Sequence, residues 1–566
     1  MTQSQAENML ASAPQSVSEA DEKASRNGGM HTATESNHQL PSLTPTKSIE
    51  QAYVTGLKLQ LVFIALALVA FLMLLDISIV ATATPRITSD FHSLTDVGWY
   101  GSAYLLANCS LQPLAGKIYT YFNSKVTFLV FFAIFELGSL LCGISTSSTM
   151  LIVSRAVAGL GGAGLMNGRP HYHIGRRAAA QAAAVYGFHD GQSTVAQMGV
   201  VVGPLLGGAF TQYATWRWCF YINLPIGALV AVLLFVIAIP TQVKPREETV
   251  LKTIQTKLDL VGFALFAPSI VMLLLALEWG GNQYAWASAT VIGLFCGAGV
   301  NFLIFLAWEF YVGEEAMIPM SMLRIRAVWV SCMFVFFFFS MMQIVVYYLP
   351  IYFQAVKNAS PMISGVDLLP SILSQLISTV GSGAAVTKVG YYLPFAVISA
   401  VIASVGHGTL TLLTPYSSTG TWIGYQVLVG FGRGLGMQMP FVAIQNSVSP
   451  KLISISMSIL TFTQTFGGSV FLSIAQTVFT TSLRTSIPKH APNISAEDII
   501  QAGATGVWKA VDNPADLAGV LLAYTESIRR NYYIAIGCSG VCFFLAFGLG
   551  WKDIRAKKPA AGADEV

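Results

Sequence analysis

Fourteen apolar segments, each near the length that crosses a bilayer, recur along this chain of 566 residues. They centre near 60–80, 98–116, 126–145, 150–168, 194–213, 219–239, 259–279, 287–310, 328–350, 362–383, 393–413, 421–440, 455–479 and 532–551. A membrane helix needs about 20 apolar residues, and at that length only helices satisfy their own backbone groups in hydrocarbon. The pattern therefore predicts an all-α polytopic membrane protein. Composition agrees: 54% of residues are hydrophobic and 10% charged, with mean hydropathy +0.61, against about 25% charged in a soluble domain. That excludes an ordinary soluble enzyme, a disordered protein and a nucleic-acid binder. The seven cysteines, at 109, 142, 219, 296, 332, 538 and 542, sit in or beside apolar segments. They show no disulfide or metal spacing and read as core packing, with no metal site and no cofactor.

Residues 1–57 are polar and predict a disordered tail rather than a cleaved signal peptide. Residues 552–566 form a short basic tail. An even number of spans puts both tails on one side, and charge says which. With the tails inside, 21 of the 31 Lys and Arg fall on inside segments and eight outside, five of those in the long loop 481–531. Long translocated loops count little in such a comparison, so both termini are expected in the cytoplasm. The cell membrane is the expected location, and a vacuolar or vesicle membrane has the same sidedness. The outside loop carries a glycosylation sequon, Asn493-Ile494-Ser495.

The two halves of the chain look related. Gly116 and Thr120 after the second span are matched by Gly383 and Thr387 after the tenth. Gly159-Leu160-Gly161 in the fourth span is matched at nearly the same offset by Gly430-Phe431-Gly432 in the twelfth. At the offset of the first match, Gln343 stands where Asp76 does. The chain thus divides into a six-helix bundle over 58–240, an inserted helix pair with flanking loops over 241–327, and a second six-helix bundle over 328–551 that includes the outside loop. Repeated halves with a site between them are a transporter architecture.

Only two basic residues, Arg155 and Arg433, lie within spans, with Asp76, Glu136 and Glu278. Charge in hydrocarbon is costly, so such residues face the bundle interior or a cavity. Asp76, Glu136, Arg155, Arg433 and Gln343 are candidate proton-coupling or cavity groups. The bland alternatives are a structural carboxylate for Asp76 and snorkelling to the membrane face for Arg155. Gly199, Gly203 and Gly207 recur four apart beside Pro204 and Gly208, which makes one smooth helix face with a bend. This is a hinge or a close-packing surface. Trp216 to Gly227 reads as an aromatic anchor at the interface. The run Phe334 to Phe339 reads as lipid-facing bulk, the alternative being a cavity lining for a planar apolar substrate.

These residues resemble the major facilitator superfamily, in particular its fourteen-span drug:proton antiporter branch in fungi, over residues 58–552. Gly199, Gly203, Pro204, Gly207 and Gly208 match its antiporter motif. Asp76 to Pro85, Arg155 with Gly159, and Trp216 to Gly227 match its first-, fourth- and sixth-span patterns. In the loop between spans 2 and 3 only Gly116, Lys117 and Lys125 match. Thr120 replaces an acidic residue and Asn123-Ser124 replaces Gly-Arg, so the charged latch of that motif must be weaker or made differently. Residues 169–198 depart further, with His171, His173 and His189 among polar residues where the end of span 4 and the start of span 5 belong. A local reading-frame slip restored near 198, a soluble insertion and a polar-lined span 5 are the readings of it. The resemblance implies a proton-coupled efflux pump, not an enzyme. It would export a hydrophobic small molecule such as a fungal toxin or other secondary metabolite, polyketide or peptide, and could give self-resistance. Its partners would be that substrate, protons and the bilayer, with no nucleic acid, and it would act as a monomer. An importer such as a siderophore transporter is the alternative on this scaffold.

Overall fold

Apolar runs without interior breakers close their hydrogen bonds locally, and turn residues mark where they stop. The computed structural model describes residues 57–91, 96, 99–167, 195, 198–200, 202–236, 249–281, 283–449 and 452–555. The expected tails before 57 and after 555, and the anomalous stretch apart from 195 and 198, lie outside the described residues. The first bundle comprises α1 (Leu57–Phe91), α2 (Trp99–Tyr121), α3 (Ser124–Gly143), α4 (Ser148–Asn167), α5 (helical at 198–200 and 202–213), α6 (Trp218–Tyr221) and α7 (Asn223–Val236). The inserted segment forms α8 (Val250–Lys257), α9 (Leu260–Trp279) and α10 (Ala289–Val312). The second bundle contains α11 (Met320–Leu323), α12 (Arg326–Ile351), α13 (Pro361–Asp367), α14 (Leu369–Val389), α15 (Leu393–Leu410) and α16 (Thr419–Gly436). It is completed by α17 (Met439–Ser447), α18 (Ile453–His490), α19 (Ala496–Ala510) and α20 (Pro514–Ala546). Among the described residues, eleven stretches are long and apolar enough to cross a membrane.

Local chemistry sets the helix ends. Asn123, read as a departure from the loop motif, caps α3 by accepting from the N–H groups of Lys125 (2.9 Å) and Val126 (3.3 Å). Asp259 caps α9, accepting from Gly262 N–H at 2.9 Å. Gly390 closes α14 at φ +86°, a conformation that favours glycine. The start of the C-terminal tail docks on this turn: Ile554 N–H donates to the Gly390 carbonyl and Arg555 Nη1 to the Lys388 carbonyl, both at 2.9 Å. Donation from Arg555, by side chain and then backbone, holds the Asp553 carboxyl at about 2.

Within the first bundle α4 packs against α2 and α3, and α1 against α7; within the second, α16 packs on α14 and α15, and α12, α18 and α20 on one another. The halves repeat in contact as well as in sequence. A Cβ on Gly159 would overlap the Tyr104 carbonyl of α2, and one on Gly430 the equivalent Ser371 carbonyl of α14. Gly161 meets Phe135 as Gly432 meets Ala403, and Gly199 meets the Phe71 carbonyl as Gly467 meets that of Phe336. This last pair sets Phe336 of α12 at the level of Phe71 of α1. The same step along each helix leads from Phe71 to Asp76 and from Phe336 to Met341. Met341, not Gln343, therefore stands at the level of Asp76, and Gln343 lies half a turn further, where a Cβ on Gly468 would meet its chain. The bundles meet where Ser454 of α18 donates to the Gly116 carbonyl at 3.1 Å and where Gln112 of α2 donates to Thr465 at 3.2 Å. Of the inserted pair, α9 packs on α2 and α18, whereas α10 packs on α9 and leaves most of its surface exposed.

Three expectations are corrected. The Phe334–Phe339 run is not lipid-facing: Phe334, Phe338 and Phe339 are buried, and Phe336 packs edge-on against Phe471. Hydropathy scores a ring alike against lipid or protein, and α12 is enclosed by α18 and α20. The segment 481–531 is not an open loop. Polar continuations carry α18 to His490 and start α20 at Pro514, with α19 between them, pinned by the Arg484–Glu497 pair at 2.8 Å and by Trp508 Nε1 donating to the Ala355 carbonyl at 2.9 Å. In the proposed interface anchor, Trp216 is buried and bonds Asp90 at 2.9 Å; Trp218 is the exposed ring.

The glycine face of α5 rests on α1. A Cβ on Gly199 would strike backbone of α1, those on Gly203 and Gly207 would strike Ser78 and Thr82, and one on Gly208 would meet nothing. Overpacking of this kind costs about 1–3 kcal/mol. Thermal unfolding of the purified protein should therefore show a lowered Tm for Gly199→Ala and none for Gly208→Ala; equal values would refute the close contact.

Candidate functional site

Asp76 and Arg155 were expected to be functional or bland separately; the fold brings them together. Asp76 lies midway along α1 and is fully buried; Arg155 lies in the first half of α4 with 1% exposure. Arg155 Nη1 donates to Asp76 Oδ2 at 2.5 Å, and Arg155 Nε donates to the Tyr100 carbonyl of α2 at 2.9 Å. The guanidinium also lies 4.7 Å from the Tyr104 ring centre and 5.8 Å from that of Phe220, a favourable cation–π placement. Asn223, at the start of α7, donates to Asp76 Oδ1 at 3.4 Å and to Ser139 of α3 at 3.0 Å. Four helices thus converge on one ion pair. Arg155 is held inside the bundle, so snorkelling is excluded.

Glu136 lies on α3 one turn before Ser139. Both its carboxylate oxygens are enclosed and have no hydrogen-bond partner among the described residues. Its space comes from Gly227 of α7, where a Cβ would overlap the carboxylate.

The second bundle uses the same positions differently. Gln426, the counterpart of Arg155, donates to the Asp367 carbonyl at 2.8 Å, as Arg155 does to that of Tyr100. His407 stands one turn beyond Ala403 as Ser139 stands one turn beyond Phe135. It pairs through Nδ1 with Ser539 at 3.0 Å, and Ser539 lies 3.0 Å from the sulfur of Met341. An amide and a thioether replace the charged pair. Arg433 is buried two turns beyond Gln426.

The motif lysines are placed too. Lys117 is buried and donates to the Glu315 carbonyl; Glu315 in turn pairs with Lys257. Next to them Asp259 accepts from Trp308 Nε1 and from Met317 N–H, both at 2.8 Å, and Glu309 accepts from Ile318 N–H at 2.7 Å. The charged latch missing from the loop between spans 2 and 3 is thus made by the inserted pair, which holds α2 through Lys117. Lys125 instead donates to the Phe235 carbonyl at 3.1 Å. Pro204 approaches Gly365 of α13, so α5 shows its glycines to the first bundle and its proline to the second. Asn493 is exposed. A crevice lined by Glu278, Gly280 and Gly281 beside α9 and by Ser473, Gln476, Thr477 and Thr480 of α18 opens between the inserted pair and the second bundle.

Sequence reasoning missed Asn223, Tyr100, Ser139, Asp259 and Gln112. Asn223 was visible as an amide inside an apolar run. Gln112 carries a signal as well, with Asn108 one turn before it accepting its bond at 2.6 Å.

Paired helical bundles around buried charges define a multi-pass membrane transporter, not an enzyme. The chain belongs to the Major Facilitator Superfamily, whose family model matches residues 66–472. It is 55% identical over 513 residues to the MFS-type transporter pigP of Monascus ruber, covering 90% of this chain and 88% of that one. It is 50% identical over 537 residues to the efflux pump mlcE of Penicillium citrinum, covering 93% and 96%. Among solved structures, the human organic anion transporter MFSD10 shares the fold, with TM-score 0.53 at 12% identity over 87% of this chain and 100% of that one.

Removing one partner of a buried ion pair costs about 3–5 kcal/mol, because the other is left uncompensated. Asp76→Leu and Arg155→Met should each lower the unfolding midpoint of the purified protein strongly, and the double variant should recover most of the loss. Additive losses would show that the two side chains do not act as a pair.

Proposed function

We propose that this protein is a proton-coupled efflux pump that exports a hydrophobic secondary metabolite, a polyketide or peptide, across the cell membrane and so protects the producing cell. The observation that carries the reading is the buried Asp76–Arg155 pair with, in the same bundle, Glu136, whose carboxylate has no hydrogen-bond partner among the described residues. Relatives that are named efflux pumps support the direction of transport. In this reading the chain has fourteen spans, with α2, α5 and α20 added to the eleven long apolar stretches, and both tails lie in the cytoplasm. The bundles rock against each other along the α2–α18 seam, and α5 pivots between them on its glycines and Pro204.

Proton chemistry divides between the two carboxylates. Asp76 is bonded by a guanidinium at 2.5 Å and an amide at 3.4 Å, so its role is to hold α1, α4 and α7 together. Glu136 has no donor to hold its charge and is the group that takes up and releases the proton. Arg433 and Gln343 belong to the second bundle, on the substrate's side of the machinery.

Transport is tested by cell accumulation. Cells expressing the protein should hold less of an exported metabolite than cells lacking it, and a protonophore should abolish the difference. Glu136→Gln should remove most of the protonophore-sensitive efflux while the protein still reaches the membrane. Higher internal levels would identify an importer, and unchanged efflux in Glu136→Gln would take the proton from that residue.

The topology is tested at Asn493. With the α18–α20 end outside, expression in a eukaryotic host should give a glycosidase-sensitive band that Asn493→Gln abolishes. Protease cleavage of a tag on the C-terminus in intact cells would reverse the orientation.

A further inference from the structure

We propose that Arg433 recognises the anionic end, a carboxylate or enolate, of the molecule this protein transports. The assignment deepens the efflux reading and rests on it for the word substrate. Its basis is a charge without a partner. Arg433 is 2% exposed, and its Nε and Nη1 have no hydrogen-bond partner among the described residues. A guanidinium keeps its charge at any physiological pH and offers five donors. Burying it uncompensated is costly, and natural structures supply an acceptor or keep the group for a ligand.

Among the described residues, the helices packed around it supply no carboxylate. The helices α12, α14, α15, α16 and α18 contain no Asp or Glu. The carbonyls of α16 nearest Arg433 already accept from hydroxyls of neighbouring helices: Ser378 donates to Phe431 at 2.6 Å, Ser399 to Gly432 at 2.7 Å and Thr379 to Gly434 at 3.3 Å. On α15, which packs against α16, the His407 ring is fully buried; its Nδ1 pairs with Ser539, and its Nε2 has no partner among the described residues. Nε and Nη1 of Arg433 thus await an acceptor.

The repeat sharpens the contrast. Arg433 lies two turns after Gln426, so it shares with it the face of α16 that corresponds to the Arg155 face of α4. The first bundle answers its inward arginine with Asp76. The second has Met341 at that level, and an arginine two turns on whose Nε and Nη1 have no acceptor among the described residues. An anionic ligand at Arg433 completes in the second half the pair that the first half carries built in. Gly432 and Gly434 beside Arg433 let α14 and α15 approach closely, so the head group must be small and planar, as a carboxylate is. Bidentate pairing with a guanidinium has that geometry.

The test is ligand binding to the full-length protein in nanodiscs without a proton gradient, read by fluorescence against empty nanodiscs, with 1-pyrenebutyrate and its uncharged methyl ester as probes. The acid is expected to bind at least about tenfold more tightly than the ester. Arg433→Met should erase the difference, and Arg433→Lys should retain part of it. Without probe, Arg433→Met should unfold at a higher temperature than the parent, because a buried charge lacking an acceptor has been removed; a purely structural role would lower that temperature. Should Arg433→Met not fold, Arg433→Gln supplies the uncharged side chain. Equal binding of acid and ester, no saturable binding of the acid, or an acid preference that survives Arg433→Met each overturns the assignment. Because no gradient is applied, the result is independent of proton coupling, whose failure appears instead as efflux insensitive to a protonophore.

Discussion

Two opposite charges placed where water cannot reach them govern the first bundle. In a low-dielectric interior neither Asp76 nor Arg155 is tolerable alone, so α1 and α4 are committed to one register, with α2 joined through the Tyr100 carbonyl and α7 through Asn223. The glycines then follow from the charges. Helices drawn together around so short a contact need flat faces, and on α4 Gly159 supplies one toward α2 and Gly161 another toward α3. Gly227 has a different part: it leaves room for Glu136, the one carboxylate of this region that the pair does not neutralise.

The second bundle reaches similar cohesion with hydroxyls. Ser374, Ser378, Thr379 and Ser399 each donate to a backbone carbonyl of a packed helix or of their own turn, satisfying the donors without net charge. The two halves are thus built to one plan but bonded differently, and the inserted pair fastens to the first half through Lys117. Side-chain bonds join the halves at Gly116–Ser454 and Gln112–Thr465.

Much of this was readable in the residues, because the bilayer makes length and hydropathy unusually strict guides. The helices, the repeat and the costly intramembrane charges all come from that one solvent constraint. What hydropathy does not carry is which side of an apolar helix meets lipid and which meets protein, and so the phenylalanines of α12 and Trp216 were misplaced. It also reports on polar stretches only that they are outside, so the helical ends of α18 and α20 read as loop. Partners stayed hidden for another reason: Asp76, Arg155 and Asn223 sit on three helices far apart along the chain, and no local pattern links them. Lys117 was visible as half of a charged latch, but its acceptor is a backbone carbonyl in the inserted segment, which side-chain identity does not reveal.

The pairing of one arginine and not the other has an electrical consequence. Asp76 and Arg155 together carry no net charge, so the first bundle can shift across a polarised membrane without electrical work from them. Arg433 has no ion-pair partner among the described residues, and moving an elementary charge through the full field is worth about 2.3 kcal/mol per 100 mV. In the proposed transport cycle, an empty carrier would sense voltage through its second bundle, whereas one whose guanidinium is neutralised by an anion would not. The membrane potential would then bias the empty return step and leave the loaded step to the chemical gradients.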